Sequence, residues 1–350
     1  MKTASVILAG GSGTRFWPRS RSSTPKQLLN ISGNDAMINE TIKRCPDFTA
    51  AEDIFVVTSR PQLEPLKKVL RGAVQQENII AEPCPRNTAP CVLLAALELR
   101  RRYGNAVMCV FPSDQYITDT AAFSAVMKRA VESAKTGGRI ITLGITPAFA
   151  ATGYGYIKAG RLLADEGCSY VDGFVEKPSA EKAEEYVSSG SYYWNSGIFI
   201  WQTDTIIAAF ERFLPRIYER LSEAFESGTL DEVYPTLQGI SLDYGILERS
   251  ASVYVYPCSI GWNDVGSWDA LGAIFPPNRE GNIIRAERSA LVDTKNCIVY
   301  SDRQLVSAIG LHDMIVVSTD DALMVCPKNR AQDVRRIVDK LAERNLTQYL

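Results

Sequence analysis

Residues 8 to 27 read Leu-Ala-Gly-Gly-Ser-Gly-Thr-Arg-Phe-Trp-Pro-Arg-Ser-Arg-Ser-Ser-Thr-Pro-Lys-Gln, a set suited to gripping a polyanion. Gly10, Gly11 and Gly13 let the backbone turn sharply and approach a ligand with no Cβ in the way. Ser12 and Thr14 lie within the turn, and successive free N–H groups there form a concave anion site. Arg15 and Lys26 add positive charge, so a phosphate-bearing ligand is the expected occupant. No Gly-Lys pair occurs, which excludes a Walker A loop. Phe16 stands where a dinucleotide fingerprint requires Gly or Ala.

Further polar groups follow at the ends of apolar runs. Phe111-Pro112-Ser113-Asp114 closes one run on a carboxylate, and Gly261-Trp262-Asn263-Asp264-Val265-Gly266-Ser267-Trp268 surrounds another with small residues and tryptophans that could wall a site. A triphosphate arrives with Mg²⁺, which takes one or two carboxylates beside phosphate oxygens and water. Glu82-Pro83-Cys84-Pro85-Arg86-Asn87-Thr88 precedes a helical stretch that Thr88 could cap. Thr152-Gly153-Tyr154-Gly155 is a glycine-punctuated turn. Glu176-Lys177-Pro178 sets opposite charges side by side at a strand tip, where neighbours point to opposite faces. Asn195 adds a carboxamide, and the spacing around Asp243 suits a helix start with that residue as cap.

These groups need a scaffold. Short β-branched runs at Ser5–Ala9, Ile54–Thr58, Met108–Pro112 and Ile140–Ile145 alternate with helical periodicity over Ala89–Tyr103 and Ala121–Ser133. Such alternation predicts a Rossmann-like mixed, mainly parallel sheet flanked by helices, with the glycine loop at the carboxyl end of the first strand. Composition shifts near Phe275-Pro276-Pro277-Asn278. Beyond it, pieces at 290–293, 297–300, 305–309 and 314–317 predict a small β domain with one or two coils of a β-helix, closed by a helix over 329–346. The expected division is 1–277 and 278–350.

Composition removes several classes. The 350 residues are 46% apolar and 22% charged with net charge −2, so no general field attracts nucleic acid or anionic membrane. No run is long enough to span a bilayer, and the chain enters a strand directly, which predicts no signal peptide. Eight cysteines without a Cys-x-x-Cys pair predict reduced thiols in a cytoplasmic protein. The single histidine, His312, makes a His-dependent triad, a two-His metal site or a phosphohistidine relay poor candidates.

The run Gly-Gly-x-Gly-Thr-Arg, then Pro, then Pro-Lys, resembles the sugar-1-phosphate nucleotidyltransferases. The Phe-Trp-Pro insert, the Pro-Lys-Gln ending and the Glu82 to Ala89 segment are most similar to the mannose-1-phosphate guanylyltransferases among them. The resemblance covers nearly the whole chain. It implies transfer of a nucleotide from GTP to mannose 1-phosphate, and a short left-handed β-helix at the end, used for homodimer contact. It also implies residue roles. Gly11, Ser12, Gly13, Thr14 and Arg15 hold the β- and γ-phosphates, and Lys26 neutralises the α-phosphate. Asp114 and Asp264 bind Mg²⁺; Glu82 reads guanine, with Asn87, Thr88 and the backbone from Gly10 completing the nucleotide site. Gly155, Glu176 and Asn195 take sugar hydroxyls, Lys177 takes the sugar phosphate, and the Asp243-Tyr244 segment lies near the sugar pocket without a contact assigned to it. Gln115 stands where the family usually has histidine, so that histidine's contact is lost. A glucose-1-phosphate enzyme shares the loop and the Glu-Lys-Pro motif, and a non-catalytic regulatory paralogue shares the fold; both stay open at this point.

Overall fold

The apolar run after Met1 forms β1 (Thr3–Leu8) in a computed structural model that describes residues 1–11, 13–163 and 166–350. It lies between β2 (Ile54–Ser59) and β4 (Val107–Pro112), parallel to both; β3 (Ile79–Glu82) lies outside β2, also parallel. The interior of β1 and all of β2 are buried, as expected of strands covered on both faces. The sheet continues through β5 (Ile140–Ile145), β6 (Gly155–Leu163), β7 (Cys168–Glu176), β8 (Tyr192–Gln202) and β9 (Val253–Cys258). Its order is β3-β2-β1-β4-β8-β5-β9-β7-β6.

The expected parallel character holds around β1 and for the β5–β9 pair. The eleven-residue β8 runs antiparallel to β4, β5 and β6, so the sheet is mixed. Helix α1 (Thr88–Tyr103) is buried along its first half, and Val92, Leu93, Ala96 and Leu99 pack with Phe199 and Trp201 of β8. Helices α2 (Thr203–Phe213) and α3 (Pro215–Ser227) complete that core through Ile206, Phe210, Ile217 and Leu221.

All nine strands lie in a compact unit made of Met1–Gly10, Asn39–Ser113 and Ile117–Trp262. A second unit gathers Gly11–Ile38, Asp114–Tyr116 and Asn263–Leu350. In it the chain alternates between two sheets. Strands β10 (Ile283–Arg285), β12 (Ile298–Ser301) and β14 (Met314–Ser318) stack in parallel, and β11 (Ser289–Val292) pairs in parallel with β13 (Val306–Ile309). Strand β15 (Leu323–Pro327) closes the larger sheet antiparallel.

Ile283, Ile298 and Ile315 align in register and are buried with Phe16, Trp17, Leu29, Ile31 and Trp268. Helix α4 (Val334–Glu343) adds Val334 to the same core. Among the described residues, no helix is long and apolar enough to cross a membrane.

Candidate active site

In the second unit the glycine loop is packed onto the lysine that follows it. Gly13 sits at φ 59, and a Cβ there would fall 2.4 Å from Lys26 Cβ and 2.7 Å from the Lys26 nitrogen. Glycine is required for both conformation and space. Thr14–Phe16 makes one 3-10 turn, and Phe16 is buried against Trp268 at a ring separation of 5.1 Å. The Trp268 indole donates to the Trp17 carbonyl at 3.0 Å. Trp268 therefore underpins the loop and does not wall a ligand site. Gln27 ties the other end of the loop, donating from Nε2 to the Gly11 carbonyl at 3.0 Å. Ser12 lies outside the described residues.

Lys26 is 5% exposed, and its ammonium donates to Asp114 Oδ2 at 2.9 Å and to the Asp264 carbonyl at 2.7 Å. Asp264 occupies a tight turn in which its Oδ1 accepts the Gly266 N–H at 3.1 Å. Between them Val265 is held at φ 48, a strained setting for a β-branched residue. Burial of its side chain and the 2.7 Å bond from its N–H to Asn263 Oδ1 hold it there. The ammonium thus meets one carboxylate, that of Asp114, and the main chain of Asp264; among the described residues no group of three or more His, Cys, Asp or Glu side chains gathers as a metal centre. Arg15 is exposed, and its guanidinium donates to Gln332 Oε1 at 3.2 Å.

The first unit holds two further groups. Glu82 ends β3 as a buried carboxylate whose Oε1 accepts the Tyr234 hydroxyl. Its Oε2 lies 3.3 Å from where a Cβ on Gly10 would stand. Burial pushes the Glu82 carboxyl up to about 6, against the opposing pull of hydrogen bonds from Tyr234 and Cys91. Asn87, at φ 66, caps α1 by accepting the Thr88 N–H at 2.8 Å. The cap is thus Asn87, and Thr88 is free to accept the Leu242 N–H through Oγ1 at 2.8 Å.

The second group converges on Gly155. A Cβ there would meet Glu176 Oε2 at 2.6 Å and Asn195 Cβ at 3.5 Å. The register of β5 against β8 shifts between Thr142 and Gly144, where Asn195 enters the pairing. Asn195 donates from Nδ2 to Asp243 Oδ1 at 2.8 Å and accepts the Gly197 N–H at 3.1 Å. Asp243 is therefore not a helix cap. Ser241 accepts the Tyr244 N–H and caps the short helix Leu242–Gly245. Burial raises the Asp243 carboxyl above its ordinary value, and the Asn195 bond opposes this. Lys177 leaves the strand in the left-handed region at φ 46, which brings its ammonium to 2.7 Å from Glu176 Oε1. The pair therefore meets, where strict strand alternation predicts opposite faces. Tyr154, Trp194 and Trp262 pack edge to face beside it, with ring separations of 5.1 and 5.3 Å from Tyr154.

Sequence reasoning missed Tyr234, Gln332 and the pairing of Asp243 with Asn195. Gln27 was visible in the quoted motif. The others had no local signal, because their partners are far away in the chain.

Two family models match the chain: Nucleotidyl transferase over residues 4–279, and MannoseP isomerase/GMP-like beta-helix domain over 287–341. The xanthan biosynthesis protein XanB of Xanthomonas campestris pv. campestris (strain B100) is 37% identical over 344 residues, covering 96% of this chain and 72% of that protein. A mannose-1-phosphate guanylyltransferase of Salmonella montevideo is 36% identical over 358 residues, covering 99% and 75%. A crystal structure from Thermus thermophilus, described as mannose-1-phosphate geranyltransferase, has a TM-score of 0.90 at 33% identity, covering 98% of this chain and 100% of that one.

Proposed function

The chain belongs to the mannose-1-phosphate guanylyltransferase family of sugar-1-phosphate nucleotidyltransferases, and we propose that it makes GDP-mannose and pyrophosphate from GTP and α-D-mannose 1-phosphate. It is an enzyme of nucleotidyl transfer that yields a sugar nucleotide. A phosphate oxygen of the sugar phosphate attacks the α-phosphorus of GTP; the bond to the β-phosphate oxygen breaks, and pyrophosphate leaves with its electron pair. That oxygen is already anionic near neutral pH, so no general base is needed. The work left for the protein is alignment and charge neutralisation.

The observation that carries this reading is Lys26, buried on the Gly13 turn with its ammonium at Asp114 and the Asp264 carbonyl. From there Lys26 is assigned to the α-phosphate, and Gly11, Ser12, Gly13, Thr14 and Arg15 to the departing β- and γ-phosphates. Asp114 and Asp264 are assigned to hold Mg²⁺, whose contribution when bound is to neutralise phosphate charge. Glu82, with Gly10, Asn87 and Thr88, takes the base; Gly155, Glu176 and Asn195 take the sugar, and Lys177 its phosphate.

The division of labour follows 1–277 for catalysis and 278–350 for the β coils, in keeping with the two family matches. A homodimer through the coils is supported by Val292 and Ile309, paired in register and 52% and 76% exposed. Sedimentation as a monomer at working concentration removes that part. For the reaction, pyrophosphate release is measured with GTP and mannose 1-phosphate, with and without Mg²⁺. Release should require both substrates and the cation. Equal release with glucose 1-phosphate and ATP overturns the assignment of substrates.

A further inference from the structure

Glu82 and Tyr234 are 152 residues apart, yet the phenol of one donates to the carboxylate of the other in a fully buried setting. Tyr234 has no exposed surface, and the proposed reaction gives it no task. Its hydroxyl engages Oε1, and Oε2 lies toward Gly10, 3.3 Å from where a Cβ on that residue would stand. The two oxygens are therefore inequivalent: Tyr234 anchors Oε1, and Oε2 faces the side-chain-free Gly10.

We propose that Tyr234 is a positioning residue for base choice, holding Glu82 ionised and in one orientation so that it accepts the adjacent N–H donors of guanine. This rests on the reading of Glu82 as the base-contacting carboxylate. Guanine offers a ring N–H beside an exocyclic amine, whereas adenine offers a ring acceptor beside an amine. An ionised carboxylate accepts from guanine, but a protonated one donates to adenine. A hydroxyl that donates to the carboxylate favours the charged form and so disfavours adenine.

The balance of burial and hydrogen bonding at the carboxyl points the same way. Burial lifts the Glu82 carboxyl to about 6, and the Tyr234 bond acts in the opposite direction. The other groups facing the pair are the thiols of Cys91, on α1, and Cys84, on Glu82's own segment. Burial raises the Cys91 thiol well above its ordinary value, so it stays neutral. Gly10 brings no side chain. Below about pH 6 the wild-type carboxylate is protonated, and guanine acceptance falls.

The test compares kcat/KM for GTP and for ATP across acid to mildly basic pH in wild type, E82Q and Y234F, with melting curves of each. E82Q should lose the preference for GTP; if it keeps that preference, the base-reading role of Glu82 falls, and this proposal with it. With E82Q behaving as expected, Y234F should lose about tenfold of the GTP preference, and its acid limb should move to higher pH. A Y234F protein that melts normally and keeps both the preference and the limb overturns the proposal alone. So does equal loss with GTP and ATP, which marks a purely structural residue. If Y234F does not fold, C91A removes the second buried donor; its limb should move in the same direction by less, and an unmoved limb overturns the proposal.

Discussion

Lys26 shows how a single residue concentrates several physical demands. It is buried, and its charge is met by the Asp114 carboxylate and the Asp264 carbonyl. A buried ammonium without such partners would be costly. The proposed reaction moves negative charge onto a departing pyrophosphate, so removing a cation there costs on the order of 3–4 kcal/mol in the transition state. K26A and R15A should each lose at least about a hundredfold in turnover. Steady-state pyrophosphate release reads the loss directly, and near-normal turnover in either folded variant counts against its role. Both residues were legible in the sequence because they share one short motif with the glycines. Asp243 was misread as a cap for the opposite reason, since its true partner, Asn195, lies 48 residues away.

At the scale of elements, the loop depends on backbone conformations that side chains resist. Gly13 combines a positive φ with a contact no Cβ can make. G13A must push the loop away from Lys26, and a displacement near 1 Å from productive alignment costs about a hundredfold in rate. The expected result is a large fall in kcat with a modest change in melting temperature. Unchanged kcat would show that the loop tolerates the shift. Val265 marks a comparable demand on the turn that meets Lys26, where a strained φ directly follows the Asp264 carbonyl that accepts from the ammonium. The strand and helix positions were well anticipated: Ile140–Ile145 formed as expected, and the helix expected from Ala89 begins one residue earlier. Their apolar periodicity lies within the segments themselves. The antiparallel entry of β8 carried no such signal, because strand direction is settled by pairing.

At the scale of the molecule, the β coils do more than follow the catalytic part in sequence. Phe16, Trp17, Leu29 and Ile31 of the loop segment share one core with Ile283, Ile298, Ile315, Val317, Met324 and Val334. Burying six such side chains contributes about 1.5–3 kcal/mol each. Their sum reaches the range of about 5–15 kcal/mol that holds a whole domain. A protein ending at residue 277 should therefore lose the ordered loop and turnover together, beyond any loss of dimer contact. Turnover and dye binding to exposed apolar surface read this, and a soluble truncated protein with normal activity overturns it.

The reaction class was readable from residues adjacent in the chain. Glycines, an arginine and a lysine at fixed spacing state a phosphate chemistry before any folding is known, because a turn and its charges are local properties. Which oxygen receives which proton was not readable in that way. Tyr234 finds Glu82, and the coils find Phe16, only once register and packing bring distant segments to hydrogen-bond and van der Waals range. Those distances depend on every intervening element, and so they belong to the folded molecule.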